Sequence, residues 1–469
     1  MKHILTLRFI CILFFISTFL PASAVTLPAI FSNHMVLQQN AEVTVWGWGK
    51  PGEPISVSGS WDNQEVKTSP GNLAQWSVKL KTPAAGGPYT LTVKGYNTIV
   101  IDDVLLGEVW LCSGQSNMEW SARAGIDNAQ EHIAQANYPS IRFFSVAHST
   151  SDVPQQDLKG QWVVCTPETM TDFSSVGYFF GRDLHQNLKV PVGLINSSWG
   201  GTPAEVWVNP NIIAANPVLA KSAAQREEVA WCPVQPGKAF NTMIAPLIPF
   251  RLAGALWYQG ESNANAPEVY AQLLPTLIQN WRTQWQQEFP FYYVQIAPFT
   301  YGGTEEWPRL AEAQFKTLQV PKTGMAVIHD VGNTQDIHPR NKLDVGKRLA
   351  AIALNKTYGK EDIAHSGPLY RSMKVEGNKI RLYFDHTTGG LMTKGKELTH
   401  FEVAGADQKF VKANGKIEGN TVVVQAKDVK QPVAVRFGWE NTATPNLFNK
   451  AGLPASSFRT DDWPKENQK

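Results

Sequence analysis

Four short segments carry side chains that could act together on a ligand, and each follows a run of apolar residues. The first is Gly114-Gln115-Ser116-Asn117-Met118, where Gly114 permits a sharp turn and Ser116 can open a helix with its backbone N–H directed at an anion. A serine so placed can serve as a nucleophile, although serine after glycine at a strand end is more often a turn or cap residue. The second, Asn196-Ser197-Ser198-Trp199-Gly200-Gly201-Thr202, has paired glycines that can expose a backbone N–H to a ligand oxygen. The third, Leu256-Trp257-Tyr258-Gln259-Gly260-Glu261-Ser262-Asn263, puts two amides and a carboxylate on one loop, and acyl transfer needs donors of that kind for its developing oxyanion. The fourth, Asp336-Ile337-His338-Pro339, offers a general base with a carboxylate to orient it. Taken singly, the second and third read equally well as plain polar loops, and the first and fourth more readily as a turn and a surface loop than as catalytic segments.

What could bring them together is an α/β layer. Residues 104–112 read as a buried strand running into a turn at Ser113-Gly114, and residues 190–196, 253–258, 291–297 and 325–329 as further strands. Helices are expected at 172–188, with Asp172 as N-cap and Val176, Phe179, Phe180 and Leu184 on one side, at 267–285 with a kink at Pro275, and at 342–356. Strands alternating with helices predict a parallel sheet, whose carboxyl ends are where ligands sit. Residues 25–105 instead alternate apolar and polar positions between Gly, Pro and Asn, as in 42–46 and 89–93, and predict a small β domain that packs or spaces more readily than it binds sugar. Beyond residue 361 the β pattern returns, clearest at 379–384 and 421–424, as a separate domain or an extension of the catalytic one; the polar tail from Arg459 is expected to fray.

The first 24 residues have the form of a secretory signal: Lys2, His3 and Arg8, an apolar stretch at 9–20, then Ala22 and Ala24 before Val25. That stretch is short of the roughly 20 residues a membrane span needs, so the mature chain is expected to be exported, to the periplasm or beyond, and soluble. A net charge of +2 with 17% charged residues leaves no basic run for nucleic acid or an anionic membrane. Cys112, Cys165 and Cys232 remain after cleavage, which permits at most one internal disulfide and fits no zinc pattern. Sixteen tryptophans are many, and a share of them is expected at a ligand as well as in the core.

The four segments in this order resemble the SGNH hydrolase family and, within it, the sialate O-acetylesterase branch, over nearly the whole mature chain. The resemblance implies a flavodoxin-like α/β domain at 106–360, flanked by a β-sandwich-like domain at 25–105 and a β-rich region at 361–469. It implies an esterase that removes acetyl groups from a sugar, sialic acid being the substrate that names the branch, with no metal or other cofactor. Carried over, Ser116 is the nucleophile and His338 its base. Asp336 supports the histidine, although the family spaces this acid three residues before it rather than two, which leaves Asp330 or a bare Ser-His pair as alternatives. The oxyanion would meet the N–H of Ser116, that of Gly200 or Gly201, and the amide of Gln259 or Asn263, while Glu261 orients a neighbour or the sugar. Arg309 and Arg340 are the candidates for a sialic carboxylate. Acetylated xylan or another glycan is the rival substrate, a lipase or thioesterase on the same fold the rival enzyme, and a carbohydrate-binding protein with a silent site the rival without chemistry.

Overall fold

The computed structural model describes residues 24–464, so nearly all of the expected signal segment lies outside it. Its centre is a mixed sheet in the order Thr323–Ala326, Phe291–Val294, Gly254–Tyr258, Thr98–Gly114, Val192–Ser198, Tyr138–Ser145 and Trp162–Cys165. The first six run parallel, and Trp162–Cys165 closes the edge antiparallel. The chain leaves Thr98–Gly114 toward one edge, returns to its side at Val192–Ser198, then crosses to Gly254–Tyr258 and builds outward to the other edge. This reversal opens a crevice at the carboxyl end of the central strand. Gly114 lies opposite both Ser198 and Tyr258 in register, so the segments that follow three adjacent strands emerge side by side.

The three middle strands are buried almost throughout, as strands covered on both faces must be. Trp110, Leu194, Leu256 and Tyr292 pack with Phe179, Phe180 and Leu349 on one side of the sheet. The helix Ser175–Leu188 starts later than expected: Asp172 ends the preceding helix and pairs with Arg123, while Ser174 caps by accepting from the Gly177 N–H. Helices Pro267–Trp285 and Lys342–Lys356 match expectation, and Asn341 caps the second through the Asp344 N–H. Strands Tyr138–Ser145 and Trp162–Cys165 were not foreseen.

Expectation and structure part at the first domain boundary. Residues 105 and 106 lie inside one strand, Thr98–Gly114, whose first half pairs with Gly86–Lys94 and whose second half is the centre of the main sheet. Val43, Val45, Leu91 and Val93 accordingly share one apolar cluster with Trp207, Trp257 and Trp281. The C-terminal region is a seven-stranded antiparallel sheet with its own core around Leu382, Val422 and Phe437. It is fastened to helix Glu306–Lys316 by the ion pairs Arg436–Glu305 (3.3 Å) and Arg459–Glu312 (3.0 Å). Arg459 and Asp461 take part in these anchors, so the tail is held at least that far rather than frayed. Cys112, Cys165 and Cys232 are free and buried, and among the described residues no helix is long and apolar enough to cross a membrane.

Candidate active site

Gly114 has φ +137°, and a Cβ there would lie 2.1 Å from the Tyr258 carbonyl oxygen, so only glycine lets the chain turn this tightly against its neighbour. The turn delivers Ser116 as the first residue of the short helix Ser116–Glu119, where its N–H has no intrahelical acceptor. His338 arrives from the other edge of the sheet on the loop between Thr323–Ala326 and Lys342–Lys356. Its Nε2 stands 2.8 Å from Ser116 Oγ. Ser116 and His338, 222 residues apart, are thus in hydrogen-bonding contact as nucleophile and base must be.

Asn117 sets that contact. Its amide donates to Glu261 Oε1 (2.7 Å) and to the Ile337 carbonyl (2.9 Å), and its oxygen accepts from Lys342 Nζ (2.5 Å). One side chain therefore ties the Ser116 helix to both the Glu261 loop and the His338 loop, with both amide hydrogens used. Burial pulls the Lys342 ammonium down to about 7, against Glu261 and Asp336, and burial raises the Glu261 carboxyl. The His338 ring is also stacked on Trp120, with centroids 4.2 Å apart and planes 18° from parallel. Burial and the nearby Lys342 charge hold the imidazole below its ordinary range, with Asp336 opposing, so it is neutral and able to accept a proton at pH 7.

Several expected roles are corrected by where the side chains point their hydrogen bonds. Asp336 Oδ1 accepts the His338 backbone N–H at 2.9 Å and is 3.8 Å from Nδ1, too far for a hydrogen bond to the ring. Asp330 is taken by both arms of Arg348 and by Lys394, which removes it as a partner of His338. Gln259 gives its amide hydrogens to Asn263 Oδ1 (2.7 Å) and the Thr202 carbonyl (3.3 Å), and Asn263 gives its own to Glu205 (2.9 Å). Both amides support the loop from beneath instead of facing an oxyanion. Arg309 sits on helix Glu306–Lys316 and pairs with Glu305 and Glu268, which engages its guanidinium within the protein. Arg340 is exposed and has no ion-pair partner among the described residues.

Gly200 is beside the nucleophile: a Cβ on it would lie 3.3 Å from Ser116 Cβ. Its N–H, however, is donated to Glu119 Oε2 at 2.6 Å. The other oxygen of Glu119 meets His148 Nε2 at 3.0 Å, and His148 lies flat on Trp199 at 4.3 Å. Asn117, Glu119, Trp120, His148 and Lys342 were thus missed as site residues. The nearest signal for three of them was their place within four residues of Ser116.

Because Asp336 does not bond Nδ1, Asp336→Asn should lower kcat by about 10- to 100-fold, the scale of a single charge lost near 4 Å. Replacing an acid that fixes the tautomer costs roughly ten-thousand-fold. A steady-state loss of that larger size would show that the carboxylate closes onto Nδ1 during turnover.

Residues 106–355 match the family described as carbohydrate esterase, sialic acid-specific acetylesterase. The sialate O-acetylesterases of Pongo abelii and Homo sapiens are 32% and 30% identical to this chain, over 91% and 92% of it and the same shares of their own lengths. Among solved structures, a carbohydrate acetylesterase from Xanthomonas citri is similar with a TM-score of 0.87 and 39% identity, covering 94% of this chain and all of that one.

Proposed function

The chain belongs to the sialic acid-specific acetylesterase family of carbohydrate esterases, and from that premise we propose that it hydrolyses O-acetyl esters of sugars, sialic acids first, through an acetyl-enzyme on Ser116. The observation that carries the reading is the 2.8 Å contact between Ser116 Oγ and a neutral His338. As Oγ attacks the acetyl carbonyl, His338 Nε2 takes its proton. The tetrahedral oxyanion forms against the Ser116 N–H, with the Gly201 N–H as a further donor. The Gly200 N–H joins them once the Glu119 carboxylate releases it, and each donor stabilises the transition state by roughly 3 kcal/mol. His338 returns the proton to the sugar oxygen, which leaves. Water then attacks the acetyl-serine with His338 again as base, His338 passes that proton to the departing Ser116 Oγ, and acetate is released.

The strand order supports a flavodoxin-like SGNH framework for this chemistry, with the N-terminal strands as a sandwich-like module upon it. A sialic carboxylate would be met by the guanidinium of Arg340, a reading supported by its place two residues after His338 and its exposure. Export after cleavage before Val25 completes the proposal and rests on the signal-like residues at the N-terminus. A second substrate reading stays in view because the Xanthomonas citri neighbour is described as a carbohydrate acetylesterase with no sugar specified. Acetate release from an O-acetylated sialic acid and from acetylated xylan, measured at equal acetyl concentration, separates the two. The sialic acid should be the faster substrate, and a preference for xylan would move the assignment to plant glycans.

A further inference from the structure

Among the described residues Trp231 is the one exposed tryptophan, at 68%. Burying an aromatic of this size is favourable by a few kcal/mol, so an indole held out in solvent beside a catalytic loop calls for a partner. Trp231 is held in place. Its carbonyl accepts the Trp199 indole N–H at 3.1 Å, and upstream Arg226 anchors the same segment to Glu205 (3.0 Å) and the Ser262 carbonyl (2.7 Å). The indole rests on Gly201, which has φ +80° and where a Cβ would come within 2.7 Å of Trp231 Nε1. Gly201 is one Cα step, about 3.8 Å, from Gly200, and Gly200 is the residue against Ser116. The ring therefore packs on the same loop whose preceding residue packs against the nucleophile. Trp231 and Trp199 line a cleft of about 340 Å³, within the size range of small-ligand sites, which also takes in Thr150, Glu228, Gln235 and Lys238. Its lining combines the two indoles with polar side chains that can bond hydroxyls, Gln235 being bonded to Glu228 and Lys238 to Asp152.

We propose that Trp231 is the platform on which the pyranose ring of the substrate stacks, so that this cleft receives the alcohol side of the ester and not its acyl side. An apolar face meets the C–H groups of the ring while the Gln235 amide and Glu228 carboxylate of the lining meet its hydroxyls. The assignment rests on the carbohydrate esterase reading and adds where the sugar binds.

Kinetics of Trp231→Ala and Trp231→Phe on an O-acetylated sugar and on 4-nitrophenyl acetate test it. The sugar should be whichever of O-acetylated sialic acid and acetylated xylo-oligosaccharide the wild type uses faster. Trp231→Ala should raise KM for the sugar by about tenfold with kcat little changed, and leave the nitrophenyl ester unaffected. Trp231→Phe, which keeps a flat ring, should restore most of the loss. Equal losses on both esters would mean that the indole only props the Gly201 loop, and unchanged sugar kinetics would mean that it touches no substrate; either overturns the platform. If the wild type released acetate from the nitrophenyl ester but from no acetylated sugar, the carbohydrate reading itself would fail, and the platform with it.

Discussion

Ser116→Ala should lower kcat on any acetate ester by about five to six orders of magnitude, the scale seen when the serine of a serine hydrolase is removed. The hydroxyl is bonded to His338 Nε2, and both side chains are half-buried rather than sealed in the core. Its loss therefore leaves only one partner to be met by water, and thermal stability should change by no more than about 1 kcal/mol. Separating these readouts matters because a variant that unfolds would also be inactive. Melting temperature and far-UV circular dichroism of the variant should match the wild type while kcat falls by that factor, the oxyanion donors and substrate binding leaving a small residue above the uncatalysed rate.

His338→Ala should cost nearly as much, and the double variant Ser116→Ala/His338→Ala should lose little beyond either single change, since the pair moves one proton and acts as a unit. The sign of the pH dependence follows from the environment of the ring. Burial and the Lys342 charge lower the His338 pKa from its ordinary 6.5, and Asp336 only partly opposes them. A base works when neutral, so kcat/KM rises with pH through this pKa, and the wild-type acid limb should fall below pH 6.5. Lys342 itself titrates near 7 because it is buried, so its own proton enters the same profile. An acid limb above pH 7 in kcat/KM would contradict the neutral imidazole.

The elements that position the site were legible because their signals are local. Apolar runs marked the strands around residues 110, 194 and 256, and helices 267–285 and 342–356 match in both length and ends. The order of four motifs identified Ser116 and His338 where no single motif could. Illegible was the direction in which a polar side chain spends its hydrogen bonds. Gln259 and Asn263 have the donors an oxyanion wants, but Thr202, Glu205 and each other claim them, and those partners lie 57 or 58 residues away for the first two. Asn117 looked like a motif residue without a task, yet it joins partners 144, 220 and 225 residues distant. The domain boundary failed for a related reason: one long strand serves two sheets, and periodicity within it does not mark where pairing changes. The excess of tryptophan is mostly core, with Trp110, Trp207, Trp257, Trp281 and Trp307 fully buried, while the less buried Trp120, Trp199 and Trp231 border the catalytic loops.

Trapping the covalent intermediate tests the central claim most directly. Rapid acid quenching during turnover of an acetate ester, followed by proteolysis and mass spectrometry, should find one acetyl group on the peptide that contains Ser116, and none there in Ser116→Ala. An acetyl group on a different residue, or full activity in Ser116→Ala, would contradict the mechanism.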